Sequence, residues 1–334
     1  MCGIAGFVND MPIDVKCPVL QRMTDMIAHR GPDSEGHYID EHAALGHRRL
    51  SIIDLGGGQQ PIYNEDGSKV ITFNGEIYNY QTLREELIAA GHTFTTKSDT
   101  EVLLHGYEQW GVDLLQRVRG MFTFVIWDKN KQELFGARDH FGIKPFYYAK
   151  MNGTFMYASE IKSLLRHPDF VKELNAEALK PYMTFQYPAI GETFFKGVYK
   201  LPEGHYFTYR DGKMDIHRYY DEDFREGKQK LGELVNSIDQ TVCDSVKAHQ
   251  IADVEVGSFL SSGVDSSYVA AVARPQHTYS IGFGKGTYNE SQQAGELAEL
   301  LKLNNTAESL TDEEAFAAFP RIQWHLDEPD SIRA

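Results

Sequence analysis

The chain has 334 residues, enough for two domains of ordinary size. With 42% hydrophobic and 24% charged residues it has a globular composition, which excludes a disordered tail or a fibrous repeat. Lys and Arg number 33 against 48 Asp and Glu, and the net charge of −15 repels nucleic-acid backbones and anionic membrane surfaces, leaving small molecules as the expected partners.

The chain opens Met-Cys-Gly-Ile-Ala-Gly, with no basic leader and an apolar run broken at Asn9 and Asp10, so it does not read as a signal peptide. Its cysteines, Cys2, Cys17 and Cys243, form no CxxC pair, which fits a reducing compartment and predicts a cytoplasmic protein without disulfides. The run Met121–Trp127 is far too short for a membrane helix. Short β-rich segments follow one another to about residue 200: GIAGFV, ALGHRRLSII, KVITFNG, MFTFVIW, ELFGARD, PFYYAK and TFMYASE. Asp128–Asn130 and Met151–Gly153 are placed as hairpin turns. Leu83, Leu87 and Ile88 predict a helix stopping at Gly91, and Ser98 with Glu101 predicts a capping box that opens a second helix.

After a polar stretch around 220–230 the pattern changes. Leu231, Leu234, Ile238, Val242 and Val246 line one face of a long helix. A buried strand VEVGSFL, a helix SSYVAAVA, a strand HTYSIGF, a helix SQQAGELAELLKL, a strand NNTAESL and a helix capped by Thr311 then alternate, as in a parallel α/β sheet. The expected fold is an α+β N-terminal domain of layered antiparallel sheets with helices over residues 2–210. An α/β parallel-sheet domain follows over 228–334.

Two places carry chemistry. Cys2 follows the initiator methionine; once that methionine is removed, the thiol and the free amine beside it would make a nucleophile and its own general base. Phe259–Ser267 runs from a strand into a helix, where backbone N–H groups and the helix dipole cradle phosphate. Gly282–Thr287 imitates a Walker loop, but its Lys-Gly-Thr order is wrong and it reads as a turn. His29, His47 and His105 show no metal-ligand spacing and are expected to be structural.

The series Cys2-Gly-Ile-Ala-Gly, His29-Arg-Gly-Pro-Asp33, Arg48-Arg-Leu-Ser-Ile-Ile-Asp54, Asn74-Gly-Glu-Ile-Tyr-Asn79, Ser98-Asp-Thr-Glu101 and Arg138–Pro145 resembles the class II glutamine amidotransferases, specifically the glutaminase domain of asparagine synthetases. The resemblance implies an N-terminal-nucleophile fold, with Cys2 attacking the glutamine amide and Asn74 and the Gly75 N–H forming the oxyanion hole. It implies that Arg49 holds the α-carboxylate, that Glu76 and Asp99 hold the α-ammonium, and that the backbone of Leu50, Ser51, Ile52 and Ile53 borders the substrate. The second loop resembles the SGGxDS loop of ATP pyrophosphatases, with Ser262 in place of a glycine, which requires a negative φ there. That likeness implies phosphate contacts from Ser261, Ser262, Gly263, Ser266 and Ser267, Mg²⁺ held by Asp265 (otherwise a plain helix N-cap), and adenosine beside Leu260 and Ile281.

Together the halves imply ATP- and Mg²⁺-dependent amidation of aspartate with ammonia from glutamine, with no tightly bound cofactor and with homodimerisation left open. Two rivals stand beside this: a ligase amidating another carboxylate, and a non-catalytic regulatory module. Asp327-Glu-Pro329 matches a family segment near the acceptor pocket, Asp330–Ala334 does not continue it, and the family's next strand and its loop are not in the sequence. The expectation is the N-terminal portion of a longer synthetase that hydrolyses glutamine without completing the synthesis.

Overall fold

A computed structural model describes residues 1–186, 191–225, 227–283 and 290–329. The end of the Gly282–Thr287 turn and the segment 330–334 lie outside the described residues. The chain divides into two compact units, Met1–Asp223 with the segment from Leu326 onward, and Phe224–His325.

In the first unit the elements run β1 (Gly3–Val8), α1 (Ile13–Asp25), β2 (Ser34–Ile39), β3 (Ala43–Arg49), β4 (Ile62–Tyr63), β5 (Lys69–Ile77), α2 (Tyr80–Ala89), α3 (Asp99–Trp110), β6 (Gly120–Asp128), β7 (Glu133–Arg138), β8 (Tyr147–Met151), β9 (Thr154–Ala158), α4 (Ile161–Leu164), α5 (Ala176–Phe185), β10 (Val198–Lys200), β11 (His205–Arg210) and β12 (Lys213–Arg218). They form two six-stranded sheets, ordered β10-β8-β9-β1-β3-β2 and β12-β11-β7-β6-β5-β4, with antiparallel pairing throughout. Because β12 pairs with β11, this unit continues past residue 210.

The apolar run in β6 has a simple cause. Successive strand side chains point to opposite faces, and both faces of this sheet are covered. Phe122, Phe124 and Ile126 pack with Leu83, Leu87 and Leu103 of α2 and α3, whereas Val125 and Trp127 join Ile4, Leu45, Phe155 and Tyr157 between the sheets. On the outer face of the other sheet, Phe7, Met156 and Ala158 pack with Leu20, Met23 and Leu164 of α1 and α4. The layers are therefore helix, sheet, sheet, helix. A strand with only one buried face would alternate apolar and polar residues.

Three local expectations change. The strand containing ALGHRR ends at Arg49, and Leu50–Ile53 leave the sheet; Leu50, Ile52 and Ile53 line a pocket, whereas Ser51 does not. Ile88 is half-exposed, since Leu83 and Leu87 already complete the buried stripe of α2. Ser98 does cap α3 by accepting from Thr100 N, but no capping box forms, because the Glu101 carboxylate is taken by the N–H and hydroxyl groups of Thr95 and Thr96.

The second unit holds α6 (Leu231–Ala248), β13 (Ser258–Phe259), α7 (Val264–Ala273), β14 (His277–Phe283), α8 (Glu290–Leu301), β15 (Asn304–Leu310) and α9 (Asp312–Leu326). Its three strands are parallel in the order β13-β14-β15. The expected strand VEVGSFL shrinks to two residues, and Phe259 is 80% exposed, since β13 is an edge strand paired on one side only. The buried cluster is small: Leu260, Ala270, Ala294 and Ala298.

Candidate functional site

The start of β1, the end of β3, the middle of β5 and the first turn of α3 converge on one pocket, lined by Cys2, Arg49, Leu50, Ile52, Ile53, Asn74, Gly75, Glu76 and Asp99. The antiparallel pairing of Gly3 with Arg48 explains why residues 47 positions apart meet here. Cys2 Sγ accepts from Leu50 N at 3.3 Å and lies 3.5 Å from the Leu50 carbonyl. Burial pushes its thiol above the ordinary value, opposed by the Leu50 hydrogen bond and the Arg49 charge. Arg30 Nε donates to the Cys2 carbonyl at 2.9 Å, which fixes the backbone beneath the thiol.

Asn74 is 1% exposed, and its Nδ2 has no hydrogen-bond partner. A buried amide donor left unpaired costs about 1–3 kcal/mol. Such a donor facing a pocket is what an oxyanion hole holds ready. Gly75 is required by space: a Cβ there would lie 2.2 Å from the Met121 carbonyl oxygen on β6. Arg49 is buried, and its Nη2 donates to the carbonyls of Ile53 at 3.1 Å and Asp54 at 2.7 Å, with Nη1 3.4 Å from that of Leu55. Those bonds hold the guanidinium plane without neutralising its charge. Ser51 N donates to Asp33 Oδ2 at 2.8 Å, tying the same loop to the segment after α1. Asp99 Oδ2 accepts from Ile77 N at 2.9 Å. Burial pushes the Asp99 carboxyl up to about 7, with Glu76 adding to the rise and the Ile77 N–H opposing it.

In the second unit, the loop before α7 closes on its own hydroxyls. Ser261 and Ser266 Oγ are 2.8 Å apart, and Gly263 N donates to Ser261 Oγ at 3.2 Å. Ser262 has no positive φ, so the missing glycine costs nothing there. The N-cap of α7 is Gly263, and Asp265 stands in the first helical turn, exposed, instead of capping. The Leu260 side chain is 2% exposed within the apolar cluster and offers the loop only its backbone, whereas Ile281 is half-exposed on β14. The free N–H groups of a helix start suit phosphate.

Residues 1–220 match the family model "Glutamine amidotransferase domain", and residues 237–334 match "Asparagine synthase". Asparagine synthetase [glutamine-hydrolyzing] 1 of Bacillus subtilis is 43% identical, over 98% of this chain and 53% of that protein. A Methanocaldococcus jannaschii relative named provisionally for the same activity is 32% identical over 98% of this chain and 68% of its own. The chain belongs to the glutamine-hydrolysing asparagine synthetase family. It spans about half the length of the Bacillus relatives it matches. A solved allosteric regulatory enzyme of purine biosynthesis superposes with a TM-score of 0.51 at 14% identity, over 93% of this chain and 80% of that one, and shows a shared fold. The family uses ATP. Among the described residues, no helix is long and apolar enough to cross a membrane.

In this asparagine synthetase relative, three pocket residues went unnoticed in the sequence. Lys144 is buried, lines the pocket, and has its Nζ 2.8 Å from Met1 Sδ; burial lowers its ammonium pKa. It lies inside the Arg138–Pro145 motif, which was the available signal. Gln60 clamps β5 through both atoms of its amide, accepting from Phe73 N at 2.6 Å and donating to Phe73 O at 3.2 Å. Gly58 sits where a Cβ would lie 2.7 Å from Arg49 Nη2.

Proposed function

We propose that the N-terminal unit hydrolyses glutamine to glutamate and ammonia, and that the chain serves ATP-dependent amidation of aspartate. The observation that carries the first part is the unpaired, buried Asn74 amide in the same pocket as Cys2, Arg49, Glu76 and Asp99. Arg49 takes the α-carboxylate of glutamine and Asp99 with Glu76 its α-ammonium, leaving the side-chain amide over Cys2. Removal of Met1 would free an amine on Cys2 to accept the thiol proton. The sulfur adds to the amide carbon and the oxygen's charge falls to Asn74 Nδ2 and Gly75 N–H. The amine returns the proton to the leaving nitrogen, ammonia departs, and water cleaves the thioester to glutamate and the regenerated thiol. Donors of this kind are worth about 2.7–4 kcal/mol in other enzymes.

The loop Ser261–Ser267 is the proposed seat of the ATP phosphates, and Asp265 of the accompanying Mg²⁺, whose preference is for carboxylate and phosphate oxygens. Both would activate the aspartate carboxylate as its adenylate, releasing pyrophosphate, before ammonia displaces AMP. A cytoplasmic site of action and a homodimer belong to the same proposal.

Ammonia release from glutamine, followed in a coupled assay, tests the first part. The chain should release ammonia without ATP, and Cys2→Ala should reduce it at least a thousandfold; equal rates in the two proteins would end the proposal. Pyrophosphate exchange with aspartate against other carboxylic acids, in the chain extended to its relatives' length, tests the acceptor.

A further inference from the structure

Four side chains from three segments, none of which lines the pocket of Cys2, come together: Glu65 from the β4–β5 turn, His92 from the loop after α2, and His105 with Glu108 on one face of α3. One ligand-type atom from each lies within 4.8 Å of every other. The separations are informative. His105 Nδ1 is 3.1 Å from Glu108 Oε2 and 3.4 Å from Glu65 Oε2, and His92 Nδ1 is 3.2 Å from Glu65 Oε1. A tetrahedron with bonds of about 2.0–2.1 Å to nitrogen and oxygen has edges of roughly 3.4 Å. Three of the separations, 3.1–3.4 Å, match that spacing, through both oxygens of Glu65, and all four ligand atoms lie within 4.8 Å of one another.

The surroundings are those of ligands held from behind. Both imidazoles turn Nδ1 toward the cluster and Nε2 toward an oxygen: His105 Nε2 is 3.5 Å from Glu101 Oε1, and His92 Nε2 is 3.3 Å from Gln109 Oε1. For His92 that acceptor favours the tautomer that leaves Nδ1 free to coordinate, whereas His105 Nε2 stands beside the Glu101 carboxylate without a hydrogen bond to it. Glu101 is itself held by the N–H and hydroxyl groups of Thr95 and Thr96. Glu108 Oε1 is occupied by Asn64 Nδ2 at 2.7 Å, which leaves Oε2 for the cluster. Glu65 Oε1 accepts from Thr93 N at 3.0 Å. Three carboxylates, Glu65, Glu101 and Glu108, thus surround the buried His105, with Lys69 Nζ 3.5 Å from Glu108, so negative charge is in excess. A solvent-open hollow of about 320 Å³ borders the cluster at Glu65, which lines it together with Asn64, Thr93 and Glu101; His92, His105 and Glu108 do not.

We propose that Glu65, His92, His105 and Glu108 bind one divalent first-row transition ion of the zinc class, which staples α3 to the two loops preceding it. Two imidazoles and two carboxylates suit zinc or cobalt and are a poor set for magnesium or calcium, which prefer all-oxygen ligands. The ion would fix the helix whose first residue is Asp99, without touching substrate.

The thiols must be removed from the test, since they bind soft metals themselves. The full chain carrying Cys2→Ala, Cys17→Ser and Cys243→Ser, stripped with chelator, is titrated calorimetrically with Zn²⁺ and optically with Co²⁺. One equivalent should bind, Co²⁺ should show the intense visible bands of four-coordinate geometry, and Tm should rise by several degrees with Zn²⁺. His92→Gln and Glu65→Gln, both at accessible positions, should each weaken binding at least tenfold with an unchanged circular dichroism spectrum. Absence of stoichiometric binding at ~100 μM metal, or equal affinity in both variants, would overturn the site and leave an ion-pair network.

Discussion

Asp99 shows how one residue can be placed by local rules and given its work by the rest of the fold. An acid in the first turn of a helix is favoured by the helix dipole wherever it lies. Here the carboxylate is also buried beside Glu76, which raises it to about 7. In the substrate-free protein it is therefore largely neutral below that pH and cannot pair with an ammonium group. The expected outcome is a kcat/KM for glutamine that falls as pH drops through about 7, approaching tenfold per unit, with that limb missing in Asp99→Asn. A wild-type limb retained in the variant would assign it to another group. Stability moves the opposite way. A raised folded-state value means that the folded chain holds this proton more tightly than the unfolded chain between about 4 and 7, so stability falls as pH rises through that window. Asp99→Asn should lose that slope in denaturant titrations.

At the scale of elements, the segment from Leu50 to Gln60 does most to shape the pocket, and it is neither helix nor strand. Arg49 reaches into it to bind the Ile53 and Asp54 carbonyls, Asp33 holds Ser51, and Gly58 leaves room for the guanidinium. Gly58→Ala should push Arg49 aside while Cys2 and Asn74 stay in place. Its expected effect is a rise in KM for glutamine of about tenfold or more, with kcat changed by less than threefold; the reverse pattern in steady-state kinetics would show that Arg49 is not the carboxylate ligand. The regular elements around this loop were readable from pattern alone. β6 and β9 are apolar on successive residues because both of their faces are covered, and α3 begins at Ser98 as its polar cap requires. Glu101 was misread for a physical reason: Thr95 and Thr96 offer its carboxylate four donors, more than the single N–H of a capping box.

Across the whole molecule the two units differ in how they are held. Among the described residues, the first has three apolar clusters built from large side chains, including Trp127, Phe124 and Phe155, whereas the second has one small cluster in which three of four members are alanine. Buried area per residue is the main source of stability, at about 25 cal/mol per Å². The chain passes between them at His325–Leu326 and along the exposed, irregular stretch 221–225 and 227–230. Brief proteolysis should cut there, leave a fragment that starts at the N-terminus and ends near residue 223, and degrade the remainder first; mass spectrometry of the products would show the opposite order if this ranking were mistaken.

Local order, layer type and the residues of the candidate glutamine site were legible in the sequence alone, because they rest on period-two and period-3.6 burial and on family-like motifs whose residues lie close along the chain. Cys2, Arg49, Asn74, Glu76 and Asp99 could each be named in this way. The tertiary structure alone decided that Asn74 keeps an unpaired donor, that burial raises the Asp99 carboxyl, and that Gly58 guards Arg49, since each depends on what packs against a side chain from elsewhere. His105 is the clearest case. From the sequence it looked structural; Glu108 lies one helical turn along α3, but Glu65 and His92, 40 and 13 positions away, reach its ring only because α3 folds against two loops.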